Sequence, residues 1–287
     1  MSFTLALNNS NISNTTTNST FRYNFIQGGF HAKNCEMCVS SISIPYSWFN
    51  VSSYYNNKLF SLEFPTAATF ISTACVLPDG FYSVTDINAW IEQKCIEFGL
   101  YLIDSTGKNV FFIHLAYNAT YYSVQLLCYT VPTTLGTYTR PDSGLYSATG
   151  TGLPTTSCCP RLRIPSTGSI GTIIGYDTGV YPDGIFGYNL SFLSTKTPIG
   201  TTVNSLTLQC SLVSNRVTIP SDILDSMPIT NTAFGNNFVY DPSFEKFISI
   251  ADGTYNNFTI TFRDQNLNDV YAKDPNSSIT LIIRQKK

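Results

Sequence analysis

The chain has 287 residues, with 16 Lys and Arg against 18 Asp and Glu and only 2 His; 12% are charged, about half the share of an average soluble protein, while 43% are apolar and 14% aromatic. A near-neutral balance excludes a broad basic nucleic-acid surface, and so few charges favour association over life as a free monomer. Two histidines and the lack of a nucleotide or metal motif point away from an enzyme.

In chain order, Met1–Leu7 is too short and too poor in basic residues for a secretory leader. No apolar run approaches the ~20 residues of a membrane-spanning helix, so neither secretion nor a membrane span is expected. Residues 8–20, NNSNISNTTTNST, are polar and of low complexity, and residues 1–20 together read as a flexible N-terminal arm. The Asn-x-Ser/Thr sequons scattered from Asn8 to Asn276 follow from this Asn/Ser/Thr-rich composition.

Period-two alternation then predicts strands at Phe21–Phe25 and Cys38–Trp48, with Ile42, Ile44 and Tyr46 on one face and serines on the other. Further strands are predicted at Leu59–Phe64, Thr69–Leu77, Asn109–Tyr117, Thr120–Val131, Ser205–Val213, Asn257–Arg263 and Ser278–Arg284. Turn signals separate them at Pro78-Asp79-Gly80, Ser105-Thr106-Gly107 and Asn118-Ala119. One segment is helical. Ser83 and Asp86 read as an N-cap with an acidic N3 residue, and Ile87, Trp90, Ile91, Cys95 and Phe98 follow at helical spacing until Gly99 stops the run. The helix, roughly 84–98, is expected to pack that stripe on a sheet. Short helical turns are predicted at Ser169–Tyr176 and Ser221–Ser226.

The stretch 132–168, rich in Thr, Gly, Pro and Tyr, reads as a loop-rich insertion. It is expected to project outward and touch a host surface, so that its deletion spares assembly yet reduces attachment. The remainder, 21–287, is read as a single all-β domain: a jelly-roll β-sandwich of eight antiparallel strands in two sheets, with one amphipathic helix between strands D and E and the insertion in the FG connection.

Little chemistry stands out. The eight cysteines (Cys35, Cys38, Cys75, Cys95, Cys128, Cys158, Cys159, Cys210) read as free thiols. The alternatives are disulfides, or a zinc set from Cys35-x-x-Cys38 with Cys158-Cys159, which lacks the second C-x-x-C spacing. Asp264-x-Asn266-x-Asn268-Asp269 resembles the start of an EF-hand loop, but it lacks the glycine and the closing glutamate and reads as a hairpin connection. His114 is expected on a strand face and His31 in a turn beside Gly28-Gly29; neither neighbours a nucleophile motif. Pro45-Tyr46-Ser47-Trp48-Phe49 reads as a strand entering the core, with an aromatic sugar platform as the alternative. The closing Arg284-Gln285-Lys286-Lys287 reads as solvated, with packaged DNA as the alternative partner.

Several stretches together carry a family resemblance. They are Asn50-Val51-Ser52-Ser53-Tyr54-Tyr55-Asn56-Asn57-Lys58-Leu59-Phe60, the junction Val76-Leu77-Pro78-Asp79-Gly80-Phe81-Tyr82-Ser83-Val84-Thr85-Asp86-Ile87-Asn88, the glycine-rich Ile174–Pro182, and Ile250–Asn266 with Asp274-Pro275 and Ile279–Arg284. Their order resembles the minor capsid, or penton, proteins of virophages, polinton-like viruses and related large DNA viruses, with Pro78, Asp79, Gly80, Tyr82, Asp86, Asp264 and Asp274 at the motif positions. The resemblance implies a structural virion protein, with no catalytic residue, metal or cofactor. It implies homopentamers at the five-fold vertices beside capsomers of the major capsid protein, with internal cement proteins or a host surface as further partners and no specific nucleic acid. The alternatives are another jelly-roll minor or major capsid protein, or a receptor- or carbohydrate-binding β-sandwich of the fibre-head kind, which would show an exposed aromatic cluster.

Overall fold

The structure is a computed structural model and describes residues 2–26 and 28–286. Its elements in chain order begin with β1 (Ser2–Leu7), β2 (Thr20–Asn24), β3 (Phe30–Ala32), β4 (Cys35–Pro45), β5 (Leu59–Pro65), β6 (Phe70–Val76) and helix α1 (Val84–Phe98). Next come β7 (Tyr101–Ile103), β8 (Asn109–Phe111), β9 (Ile113–Asn118), β10 (Ser123–Cys128), β11 (Arg161–Ile164), the short helix α2 (Gly171–Ile174), β12 (Gly179–Tyr181) and β13 (Leu190–Leu193). The chain closes with β14 (Ser205–Cys210), β15 (Ile223–Pro228), β16 (Asn237–Tyr240), β17 (Ile248–Ser249), β18 (Gly253–Tyr255), β19 (Asn257–Arg263) and β20 (Ser278–Gln285).

The protein is all-β, and the strands pair antiparallel throughout the named sheets. The chain divides into two compact units where the sequence suggests one: Met1–Phe49 with Thr202–Lys287, and Asn50–Thr201. The strands are also shorter and more numerous than the eight expected.

The discontinuous unit is a sandwich of two larger sheets with a small β18-β3 pair. One sheet runs β1-β20-β4-β16, with β17 also on β4, and the other runs β15-β14-β19-β2. Strands remote in sequence are therefore neighbours in space, as jelly-roll connectivity requires. Along β20, Ile279, Leu281 and Ile283 are buried at every second position, and the Cys210 thiol of one sheet lies 3.8 Å from the Met37 sulfur of the other. Each such fully buried aliphatic side chain contributes roughly 1.5–3 kcal/mol relative to exposure. Tyr46 and Trp48 are both buried and their rings stack at 4.4 Å. The Pro45–Phe49 segment thus enters the core and offers no sugar platform.

The expected flexible arm is structured. Ser2–Leu7 pairs with β20 from Ser2↔Arg284 to Leu7↔Ile279, because Leu5 and Leu7 alternate inward. In the polar stretch, Asn8 builds a capping box over residues 9–11, Asn18 donates to the Ala272 carbonyl, and Thr17 and Ser19 are buried. Ser221–Ser226 is not helical; it leads into β15, which pairs with β14. The Asp264 loop is not a hairpin, since β19 pairs with β14 and β2 while β20 belongs to the other sheet. His31 lies in β3, where its Nδ1 meets the Thr254 hydroxyl at 2.8 Å.

The Asn50–Thr201 unit has sheets β12-β11-β5-β6, β13-β10-β9 and β7-β8 around one apolar core. Helix α1 spans the predicted 84–98. The Ser83 hydroxyl accepts from the Asp86 amide, Asp86 returns the bond to the Ser83 amide, and Gly99 adopts the left-handed C-cap. Ile87, Ile91 and Cys95 are fully buried, as a four-residue spacing dictates. Trp90 is only partly buried, edge-on to Phe60, and Phe98 is 36% exposed, so the buried stripe is narrower than the five residues suggested. Asn88 fixes the helix to β9 by accepting the Leu115 amide.

The stretch 132–168 is not a projecting insertion. Its Arg161–Ile164 is strand β11, lying between β12 and β5. Tyr146 is completely buried and donates to the Pro65 carbonyl at 2.9 Å. Residues 145 and 146 hydrogen-bond the carbonyls of Phe98 and Gly99 at the helix end. Gly99 permits that approach, because a Cβ there would fall 2.2 Å from the Ser143 carbonyl oxygen.

Candidate functional site

The motif residues of the Asn50–Thr201 unit converge on one latch. Asn50, 1% exposed, uses its amide in both directions on Tyr82: Nδ2 donates to the Tyr82 carbonyl and Oδ1 accepts the Tyr82 amide, each at 2.8 Å. The same Nδ2 donates to the Gly200 carbonyl. Asn57 accepts the Ser52 amide and donates to the Asn50 carbonyl. Val51 and Gly80 exchange backbone hydrogen bonds. The Asp79 carboxylate takes bonds from the Ser53 amide and hydroxyl and from Lys58, all at 3.0 Å. Partial burial works against that charge, but the Lys58 and Ser53 bonds outweigh it and hold the carboxyl below its ordinary value. Tyr82 donates its phenol to the Pro78 carbonyl. Pro78, Asp79, Gly80, Tyr82 and Asp86 therefore shape the strand-to-helix junction; their chemistry is turn-building.

Asp264 and Asp274 do the same in the other unit. Asp264 is buried, and its Oδ1 accepts the amides of Asn266 and Asn268 at 2.8 Å. Both carboxylate oxygens are spent on the loop, since Oδ2 accepts from the Asn268 side chain. Asp274 accepts the Asn276 amide, while its own amide donates to Ser47.

Beside the latch opens a groove of about 430 Å³, lined by Phe81, Tyr82, Val84, Tyr117, Tyr122 and Ile173 among others. Tyr117 and Tyr122 flank the β9–β10 turn with Tyr121, are 48% and 61% exposed, and meet edge to face. This is an exposed aromatic cluster, suited to an apolar or ring-shaped partner. Its trace in the sequence is the Tyr-rich run at Tyr117, Tyr121 and Tyr122, which the strand pattern alone does not distinguish.

Sheet edges supply a second candidate surface. Among the described residues, strand β6, Phe-Ile-Ser-Thr-Ala-Cys-Val, pairs only with β5, and it carries no charge or proline to block further pairing.

All eight cysteines are unpaired and buried. No group of three or more potential metal ligands comes together among the described residues, and none of the described helices is long and apolar enough to cross a membrane. Burial raises the thiols of Cys38, Cys75 and Cys159 to about 11 and that of Cys210 to about 12. Thiolates, the reactive form, are thereby suppressed. A disulfide-exchange reagent at neutral pH is expected to label the native protein slowly and all eight thiols after unfolding; fast labelling of several native thiols contradicts this arrangement.

No protein-family profile and no curated protein matches the chain. Among solved structures, the chain is similar to the mavirus penton protein over 100% of both chains, at 10% identity and a TM-score of 0.45. It is also similar to a chain of the Sputnik virophage structure, over 99% of this chain and 98% of that one, at 11% identity and a TM-score of 0.40. Likeness at this level assigns no role to any residue.

Proposed function

We propose that this chain is a non-catalytic structural protein of a viral capsid, a penton that forms homopentamers at the icosahedral vertices beside the major capsid protein. The observation that carries the reading is the latch. Asn50 locks Tyr82 across 32 residues, Asn57 holds the Asn50 carbonyl, and Asp79 is held by Ser53 and Lys58, so these motif residues are engaged as scaffold. An antiparallel sandwich with a sparsely charged chain and an uncharged edge strand supports subunit packing side by side. A closed ring needs a heterologous interface, in which different patches of neighbouring copies meet.

The exposed Tyr117–Tyr122 cluster favours a second reading, a receptor- or carbohydrate-binding sandwich of the fibre-head kind. Light scattering on the purified protein with negative-stain class averages separates the two. A five-subunit mass with five-fold rings is expected for the penton, whether alone or after addition of the major capsid protein. A stable trimer overturns it in favour of the fibre head.

A further inference from the structure

The loop between β14 and β15 exposes two branched aliphatic side chains almost entirely: Val217 at 92% and Ile219 at 98%. The loop is built to present them. Buried Asn215 accepts the Val217 amide, donates its side-chain amide to the Ile223 carbonyl and ties its backbone amide to the Ser221 carbonyl. The Thr218 hydroxyl donates to the Pro220 carbonyl.

Cations stand beside this tip. Arg216 and Lys286 line a polar cleft of about 570 Å³ with Asn34, Ser214, Ser249 and Asp252. Lys286 donates to the neutral Ser249 hydroxyl, and among the described residues neither Arg216, Lys286 nor nearby Lys33 forms an ion pair. Asp252 is the one carboxylate lining the cleft, and its Oδ1 accepts the Asn34 amide. The register of β19 brings another apolar side chain to the same end of the unit. Cys210, where the loop leaves β14, lies opposite Ile260, and Asn24, the last residue of β2, lies opposite Asn257. Two residues past Asn24 stands Ile26, 81% exposed.

Exposed aliphatic tips beside a cationic collar match the two layers of an anionic bilayer surface, the tips reaching the acyl chains and the collar the phosphate headgroups. We propose that this end of the Met1–Phe49/Thr202–Lys287 unit docks on a membrane surface containing anionic phospholipid. Arg216, Lys286 and Lys33 outnumber the cleft's Asp252 and the loop's Asp222, whose Oδ1 accepts from Gln209, and that excess selects an anionic occupant, while the aliphatic pair distinguishes a bilayer from a bare phosphate. The inference is independent of the capsid reading.

Co-sedimentation of the full chain with phosphatidylcholine vesicles, with and without phosphatidylserine, tests it. Binding is expected only with phosphatidylserine and is expected to fall with salt. Arg216→Gln with Lys286→Gln is expected to weaken it by about fivefold per cation removed. Val217→Ser with Ile219→Ser, both fully exposed and so harmless to the fold, is expected to weaken it about tenfold or more. No binding, equal binding to neutral vesicles, or unchanged binding by the serine variant overturns the proposal. So does a change of oligomeric state in the serine variant without vesicles, which assigns the tip to a second copy.

Discussion

Glu63→Ala is expected to destabilise the Asn50–Thr201 unit by about 3 kcal/mol, the low end of the cost of breaking a buried ion pair. The Glu63 side chain is 4% exposed, and its two oxygens meet Arg161 at 2.7 Å and Arg163 at 2.5 Å. Arg161 is its direct cross-strand partner between β5 and β11, and the Arg161 guanidinium lies 4.2 Å from the centre of the Phe70 ring. Arg163 is half exposed and can turn to water, which lowers the penalty, but Arg161 is largely buried and would lose its counter-charge. Net stability of domains is only about 5–15 kcal/mol, so the shift in the denaturant midpoint is large. Replacing Glu63 and Arg161 together by Leu and Met is expected to recover most of the loss, because apolar replacement removes the unpaired charge. A midpoint for Glu63→Ala close to the wild-type value would show that the pair contributes little.

Tyr146→Ala is expected to cost about 4 kcal/mol, from the lost aromatic volume and the cavity it leaves. The ring lies edge-on to Phe64 in the core, and the phenol ties residues 132–168 to the end of β5 through the Pro65 carbonyl. Tyr146→Phe keeps the ring and is expected to cost only about 1 kcal/mol, the net value of one hydrogen bond. Deleting 132–168 outright removes β11 from the middle of its sheet together with Tyr146, so the unit is expected not to fold, and proteolysis of the purified variant reports this directly. Equal denaturant midpoints for Tyr146→Ala and the wild type would return the stretch to the status of a dispensable loop.

The sequence by itself determined what local chemistry determines. Alternation located β19 and β20 because each buries one face and so repeats at every second residue, whereas β4, β5 and β14, with runs of consecutive buried residues, were legible from their apolar and β-branched content. Ser83, Asp86 and Gly99 bounded α1 because caps are satisfied within a few residues. The motif residues were legible as a group, although not as a latch, since the bonds between Asn50 and Tyr82 join segments 32 residues apart.

Tertiary structure alone decided the rest. The division into two units, the strand status of Arg161–Ile164 and the pairing of Ser2–Leu7 with β20 all depend on partners remote in the chain. A low-complexity or Thr/Gly/Pro-rich stretch looks unstructured because its own residues bury little. Its order comes from a neighbour's backbone, as when Asn18 reaches Ala272 or Tyr146 reaches Pro65. Exposure is decided the same way. Val217 and Ile219 read as ordinary apolar residues, and only the packed fold shows that nothing covers them.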